Sequence, residues 1–271
     1  MERVRWGLSI SLGGELAEPA AVAEVAVTAE EHGWDGIFVW DHLWHAGGEP
    51  FADPFVTLAA VAAATSLVRI GPLVTPLARR RPATVAQQVT TLDRLSDGRV
   101  IFAVGLGSDH YGEYTDSGEE PGDGGADDPD VVRARARRVD AAREWILPAL
   151  GGDPVTAAGG RRTTHPSRQH PRPPIWVAGL PGRLAGPRRA ARHGLEGVAL
   201  VGGGSWQPEI VAAASRSIDE TCGPGLDVAL VGGEHAEPAV LAASGATWLI
   251  PELRPGSTVD DACELARIDR T

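Results

Sequence analysis

The run Trp40-Asp41-His42-Leu43-Trp44 puts a carboxylate, an imidazole and two indoles within five residues. Histidine is the one side chain whose unperturbed pKa lies near neutrality, so an imidazole at a cavity mouth can give a proton to a bound substrate or take one. His42 and Asp41 are therefore the candidate acid–base residues, with a simple Asp-His turn as the plainer alternative. A second group is Arg69-Ile70-Gly71-Pro72-Leu73-Val74-Thr75-Pro76, followed by Arg79, Arg80 and Arg81. Two prolines and a glycine at a strand end imply a bent backbone with room for a planar ligand. The three arginines either hold an anion or form an exposed basic turn. The segments Gly105-Leu106-Gly107-Ser108 and Trp176-Val177-Ala178-Gly179 offer glycines through which backbone amides can approach a ligand. The first lacks the third glycine of the dinucleotide fingerprint, and no acidic residue follows at a second-strand position, which disfavours a standard nicotinamide-binding domain.

These residues need elements to position them. Short β-branched runs alternate with stretches of helical period in eight units, with strands expected at 4–10, 36–40, 69–74, 100–105, 174–178, 197–201, 226–231 and 247–250. Val22, Val25, Ala26 and Ala29 form an i, i+3, i+4, i+7 stripe, as a helix covering a sheet requires. Asp53 before Pro54 and Arg81 before Pro82 mark helix starts, Ser257 with Asp260 resembles a capping box, and Gly33 and Gly98 stand at C-cap distance. Eight strand–helix units over 1–271 read as one (β/α)8 barrel domain, with a doubly wound open sheet as the alternative. In a barrel, chemistry belongs after the C-terminal ends of the strands, where the three groups above fall. Two long loops are expected, an acidic one at 106–130 after strand four and a basic one at 151–173 before strand five. The acidic loop is either a solvated loop or a lid over the site.

Composition removes whole classes of function. All 25 basic residues are arginine, so mechanisms that need a lysine amine, such as Schiff-base aldolases, pyridoxal-phosphate enzymes and Walker-type hydrolases, are excluded. A net charge of -11 argues against nonspecific binding to nucleic acid or anionic membrane. No apolar stretch reaches transmembrane length and the first twenty residues lack a signal-peptide apolar region, so a cytoplasmic protein is expected. Cys222 and Cys263 form no ligand cluster and read as packing residues.

The run from Gly33 to His42, the segment Asp53-Pro54-Phe55-Val56-Thr57-Leu58, Arg69-Ile70-Gly71 with Val74-Thr75-Pro76, Leu92 to Arg99, Gly105-Leu106-Gly107, Arg172 to Gly179 and Gly245-Ala246-Thr247-Trp248 together resemble the bacterial-luciferase-like flavin-dependent oxidoreductases. The resemblance runs in order over most of the chain. It implies the (β/α)8 barrel and either flavin mononucleotide (FMN) or the deazaflavin coenzyme F420, with the ring at the top of the barrel, and Asp41, His42 and Trp44 together favour F420. It assigns Asp41 to cofactor contact, His42 to substrate proton transfer and Trp44 to the substrate pocket. It further implies a non-prolyl cis peptide at Pro72–Leu73 beneath the ring, with Thr75, Gly105, Gly107, Ala178 and Gly179 also beside the cofactor. Some deazaflavin dehydrogenases of the family carry a catalytic Glu shortly after the strand-four glycines. This chain has Ser108 and Asp109 there, with Glu113 further on, so Ser108 falls to the substrate pocket and a sugar-phosphate dehydrogenase is disfavoured.

The expected function is hydride transfer to or from a small organic substrate, with His42 as proton donor or acceptor. One alternative is an FMN-dependent monooxygenase served by a separate flavin or deazaflavin reductase. Two alternatives come from other classes: a metal-dependent barrel hydrolase using His42, His45, Asp41 and Asp53, and a flavin-binding protein without catalysis. The resemblance also implies a homodimer through exposed barrel helices.

Overall fold

The computed structural model describes residues 3–46, 48–109, 111–115, 128–157, 159–202 and 204–270. Strands and helices alternate: β1 (Arg5–Ile10), α1 (Pro19–Glu31), β2 (Gly36–Val39), α2 (Pro54–Ala64), β3 (Arg69–Pro72), α3 (Pro82–Leu95), β4 (Phe102–Gly105) and α4 (Pro129–Gly151). The second half repeats the pattern with β5 (Ile175–Gly179), α5 (Ala185–His193), β6 (Gly197–Val201), α6 (Pro208–Cys222), β7 (Asp227–Val231), α7 (Pro238–Ala243), β8 (Trp248–Ile250) and α8 (Val259–Ala266). The strands pair in parallel around a ring, β3-β2-β1-β8-β7-β6-β5-β4. A parallel bridge between Ile70 and Val100 joins β3 to the entry of β4 and closes it. This is the (β/α)8 barrel, built on both faces from buried strands that the short apolar runs announce.

The third strand differs from expectation. It breaks after Pro72, and Thr75–Pro76 resumes beside Val104 and Gly105 rather than beside β2. Pro72 and Pro76 bring no N–H to a ladder. Gly71 lies so close to the neighbouring strand that a Cβ there would stand 1.9 Å from the Ile101 carbonyl oxygen. The cis peptide is Leu73–Val74, one bond beyond the expected Pro72–Leu73. The capping box of α8 is likewise shifted by one residue, to Thr258 and Asp261, because Val259 rather than Thr258 is the first helical residue. Asp53 caps α2 as expected, its side chain accepting from the Phe55 and Val56 N–H groups.

Side chains alternate across each strand, so residues two apart share a face. Phe38, Trp176 and Trp248 fill the barrel interior with ring centroids 5.5 to 5.8 Å apart, and Ile250 packs on them. One step further toward the C-terminal mouth, the same inward faces present Trp40, Ala178 and Glu252. Outside the sheet, the helices bury their apolar stripes, Val22, Val25, Ala26 and Ala29 of α1 among them. The segment before β5 contains a hairpin, Val155–Ala157 with Gly160–Arg162, and its Arg168 and Gln169 N–H groups are held by Asp93 at 2.7 and 2.9 Å. Most of the acidic stretch proposed as a lid, His110 and residues 116–127, lies outside the described residues. Among the described residues, no helix is long and apolar enough to cross a membrane.

Candidate active site

At the C-terminal mouth the strand ends surround a cavity of about 680 Å³, a volume that suits a planar cofactor with a small substrate. The residue after the end of β2 is Trp40, whose indole donates to Ser9 Oγ at 3.1 Å, and the chain then turns to place Asp41 and His42 on the cavity wall. His42 stands among Trp40, Phe51 and Tyr111, with ring centroids 5.7 to 5.9 Å away. Its Nδ1 is 2.9 Å from Glu113 Oε2. Glu113 Oε1 accepts from the Leu43 N–H at 2.7 Å and from Arg79 Nη1 at 3.1 Å.

Arg79 is buried and ties the two carboxylates together, since its Nη2 donates to the Asp41 carbonyl at 2.9 Å and to Asp41 Oδ1 at 3.1 Å. Arg80 completes Asp41 with Nε to Oδ2 at 2.8 Å and Nη2 to Oδ1 at 2.6 Å. Two carboxylates and two guanidiniums thus form one closed, charge-balanced cluster in which the Asp41 side chain is 0% exposed and that of Glu113 is 4% exposed. Of the two readings of these arginines, an anion site and an exposed basic turn, the structure shows neither for Arg79 and Arg80: their forks are filled by Asp41 and Glu113. Burial pushes the Asp41 carboxyl up, against the opposing pull of Arg80 and Arg79. For Glu113, burial alone would raise the carboxyl, but the hydrogen bond and charge of His42, the Leu43 N–H and Arg79 outweigh it and hold the group below the usual carboxylate range.

An ionised Glu113 needs a hydrogen on His42 Nδ1, which leaves Nε2 as the basic nitrogen of the neutral imidazole. The carboxylate at Nδ1 also stabilises the imidazolium that forms when Nε2 takes up a proton. The arrangement is a histidine oriented by a buried carboxylate, itself oriented by a buried arginine.

Of the residues expected at the site, Asp41, His42, Leu73, Gly105, Gly107, Ser108, Ala178 and Gly179 line the cavity. Pro72 and Thr75 lie one layer behind it, both buried. Trp44 is not part of the wall, because its indole N–H is drawn to the Tyr111 carbonyl and closes the loop after β2. Of the alternative metal-ligand set, Asp41 faces guanidiniums, Asp53 caps α2 and His45 stacks on Phe51. Across the barrel, α5 begins without a side-chain cap, and Ala185, Gly186 and Arg183 from this corner line the cavity. Open N–H groups beside a guanidinium suit a phosphate. Thr75 Oγ1 is buried behind the cavity wall without a hydrogen-bond partner. Apolar walls with one corner of chemistry suited to a phosphate fit a flavin-type group.

The description of luciferase-like monooxygenases matches residues 6–245. The chain belongs to this family. The F420-dependent glucose-6-phosphate dehydrogenase of Nakamurella multipartita is 41% identical over 109 residues, covering 38% of this chain and 31% of that one. The chain therefore spans about a third of the length of the curated relatives it matches. Among solved structures, the F420-dependent tetrahydromethanopterin reductase of Methanopyrus kandleri superposes with a TM-score of 0.75 at 16% identity over 99% of this chain and 98% of that one. An F420-dependent secondary alcohol dehydrogenase bound to an F420–acetone adduct gives 0.72 at 18% identity over 98% of both chains. These luciferase-like enzymes share the barrel.

Proposed function

We propose that this luciferase-like protein is an oxidoreductase that uses a deazaflavin or flavin coenzyme, F420 in preference to FMN, to transfer hydride to or from a small organic substrate. The observation that carries the proposal is His42, seated on the wall of an apolar cavity and held through Nδ1 by Glu113. When bound, such a coenzyme supplies the electrons as hydride from its ring, and the protein supplies position, dryness and a proton. Leu73, Gly105, Gly107, Ala178 and Gly179 would flank the ring, with Pro72 and Thr75 supporting them from behind. Arg183 and the α5 N-terminus would hold the phosphate.

His42 Nε2 protonates the substrate oxygen or nitrogen during reduction and takes that proton during oxidation. Glu113 fixes the ring and its tautomer. Asp41 acts as a positioning residue, since Arg79 and Arg80 occupy its carboxylate and its main chain reaches the cavity. Ser108 and Trp40 bound the substrate. The F420-dependent names of the relative and of two structural neighbours support the deazaflavin, and the Asp41-His42 pair agrees with it. The same reading makes the chain a cytoplasmic homodimer, for which the exposed Val56 and Leu95 beside the α2–α3 groove are the candidate contact. In the direction that reduces the substrate, it also implies a separate reductase that returns the coenzyme to its reduced form.

His42→Ala tests the proposal. Coenzyme affinity should stay within about threefold of wild type while turnover falls by roughly 10²- to 10⁴-fold. Unchanged turnover would remove His42 from the mechanism.

A further inference from the structure

Glu252 carries chemistry that the proton-transfer machinery leaves unused. It lies two residues beyond β8, in a short strand Glu252–Leu253 that keeps the inward alternation of Trp248 and Ile250, which are packed in the barrel interior. It pairs in register with Ser9 of β1, so it stands at the cavity floor rather than on a loose loop. Its carboxyl is seated against the Gly232 backbone: a Cβ at 232 would come within 2.1 Å of Oε2, and Gly232 itself has φ of 67°. Among the described residues the Glu252 carboxyl accepts no hydrogen bond and forms no ion pair. It also lies beyond residues 6–245, the part of the chain matched to the family.

The charges around the mouth are sorted. In the ring of strands, β8 and β2 both flank β1, and β5 lies diametrically opposite. The β5 side is cationic, with Arg183 and Arg189 on the cavity wall and Arg189 bonded to Asp140. The β1 side holds the closed cluster of Asp41, Glu113, Arg79 and Arg80, whose charges cancel. Glu252 is thus the uncompensated group on the side that carries His42. Burial pushes its carboxyl up, and Arg254 opposes this without reaching it. A half-buried carboxylate joined in no ion pair is costly to keep ionised, and a ligand that brings a cation offsets that cost.

We propose that Glu252 is a specificity-determining residue that binds the protonated nitrogen of a small amine or imine substrate, so that the enzyme selects organic cations over sugar phosphates and carboxylates. The proposal rests on the oxidoreductase reading only for what happens to the substrate afterwards. The recognition step is a charge-assisted hydrogen bond from the ligand N–H to the Glu252 carboxylate, with the organic part against the apolar wall that includes Val201 and Val231. A phosphate or carboxylate placed there would meet Glu252 at close range, and among the described residues the cation nearest in effect, Arg254, makes no ion pair with it while Arg79 and Arg80 are filled.

The test is calorimetric titration of the purified protein with benzylamine, benzyl alcohol, benzoate and glucose 6-phosphate, for wild type, Glu252→Gln and Glu252→Asp. Wild type should bind benzylamine about tenfold or more tighter than benzyl alcohol, with the two anions weaker still. Glu252→Gln should bring benzylamine to within about threefold of the alcohol without changing the alcohol's affinity, and Glu252→Asp should restore part of the preference. Melting curves of the variants confirm that they fold. Wild-type preference for an anion, binding of no probe, or an amine preference that survives Glu252→Gln would overturn the proposal. Failure to bind either coenzyme would instead overturn the oxidoreductase reading and leave the amine preference intact.

Discussion

Arg79→Met removes a guanidinium that bonds to both buried carboxylates, Asp41 and Glu113. Arg79 gives three hydrogen bonds, one to Glu113 and two to Asp41, from a side chain that is 3% exposed. Without it, Asp41 keeps both donors of Arg80, and Glu113 keeps His42 and the Leu43 N–H. The cluster then carries a net negative charge where water is scarce. Removing one partner of a buried ion pair costs about 3–5 kcal/mol, and the surviving donors place this case at the lower end, about 3 kcal/mol. For a chain of this size that corresponds to a fall of roughly 6–12 °C in Tm. Urea denaturation reads the same loss as a shift in midpoint at unchanged slope. Adding Glu113→Gln to Arg79→Met should cost less than the sum of the two changes, with a coupling of about 1 kcal/mol or more. A loss below about 1 kcal/mol, or strict additivity, would refute the claim that Arg79 holds the site together.

Glu113 and Gly71 give further tests. The Glu113 carboxyl titrates lower in the folded protein than its unfolded value of about 4.3, so between the two the unfolded chain binds more protons and stability rises with pH. Glu113→Gln should therefore be most destabilising relative to wild type above about pH 5, and the gap should close as the pH falls below about 4; urea midpoints at constant ionic strength measure it, and a gap that widens in acid would count against the depressed carboxyl. Gly71→Ala would drive a Cβ to 1.9 Å from the Ile101 backbone oxygen, so the seam between β3 and β4 should open and stability should drop by roughly 3 kcal/mol or more. Soluble expression with an unchanged melting curve would contradict that seam.

The strands were legible because a parallel barrel buries both faces of each one, which writes them as short continuous apolar runs such as Gly197–Val201 and Asp227–Val231. Proline and aspartate at helix starts fixed α2 and α3. The break in the third strand was legible as a bend but not to the residue, since the prolines state where ladder bonds are missing and not which neighbouring strand takes over. His42 stood out because imidazole, carboxylate and indoles were adjacent in sequence. The role of Glu113 did not, because it acts from 71 residues away inside a loop crowded with acids. One signal pointed to it: both tyrosines of the chain, Tyr111 and Tyr114, bracket it, and Tyr114 is buried with its hydroxyl on the Leu106 carbonyl. Spacing leaves Arg79 and Arg80 open between an anion site and an exposed turn, because it shows that guanidiniums are present, whereas the carboxylate that fills them is 38 or 39 residues away. Glu252 gave no motif at all, and the short strand Glu252–Leu253, paired with β1 beyond the end of β8, brings it to the floor of the cavity.

The most direct measurement is a fluorescence titration of the purified protein with F420 and, separately, with FMN. The account predicts saturable binding with F420 the tighter of the two, retained in His42→Ala and weakened in Arg183→Ala. Preferential FMN binding would turn the reading toward a monooxygenase, and binding of neither coenzyme would contradict the central claim that this cavity is a coenzyme-dependent redox site.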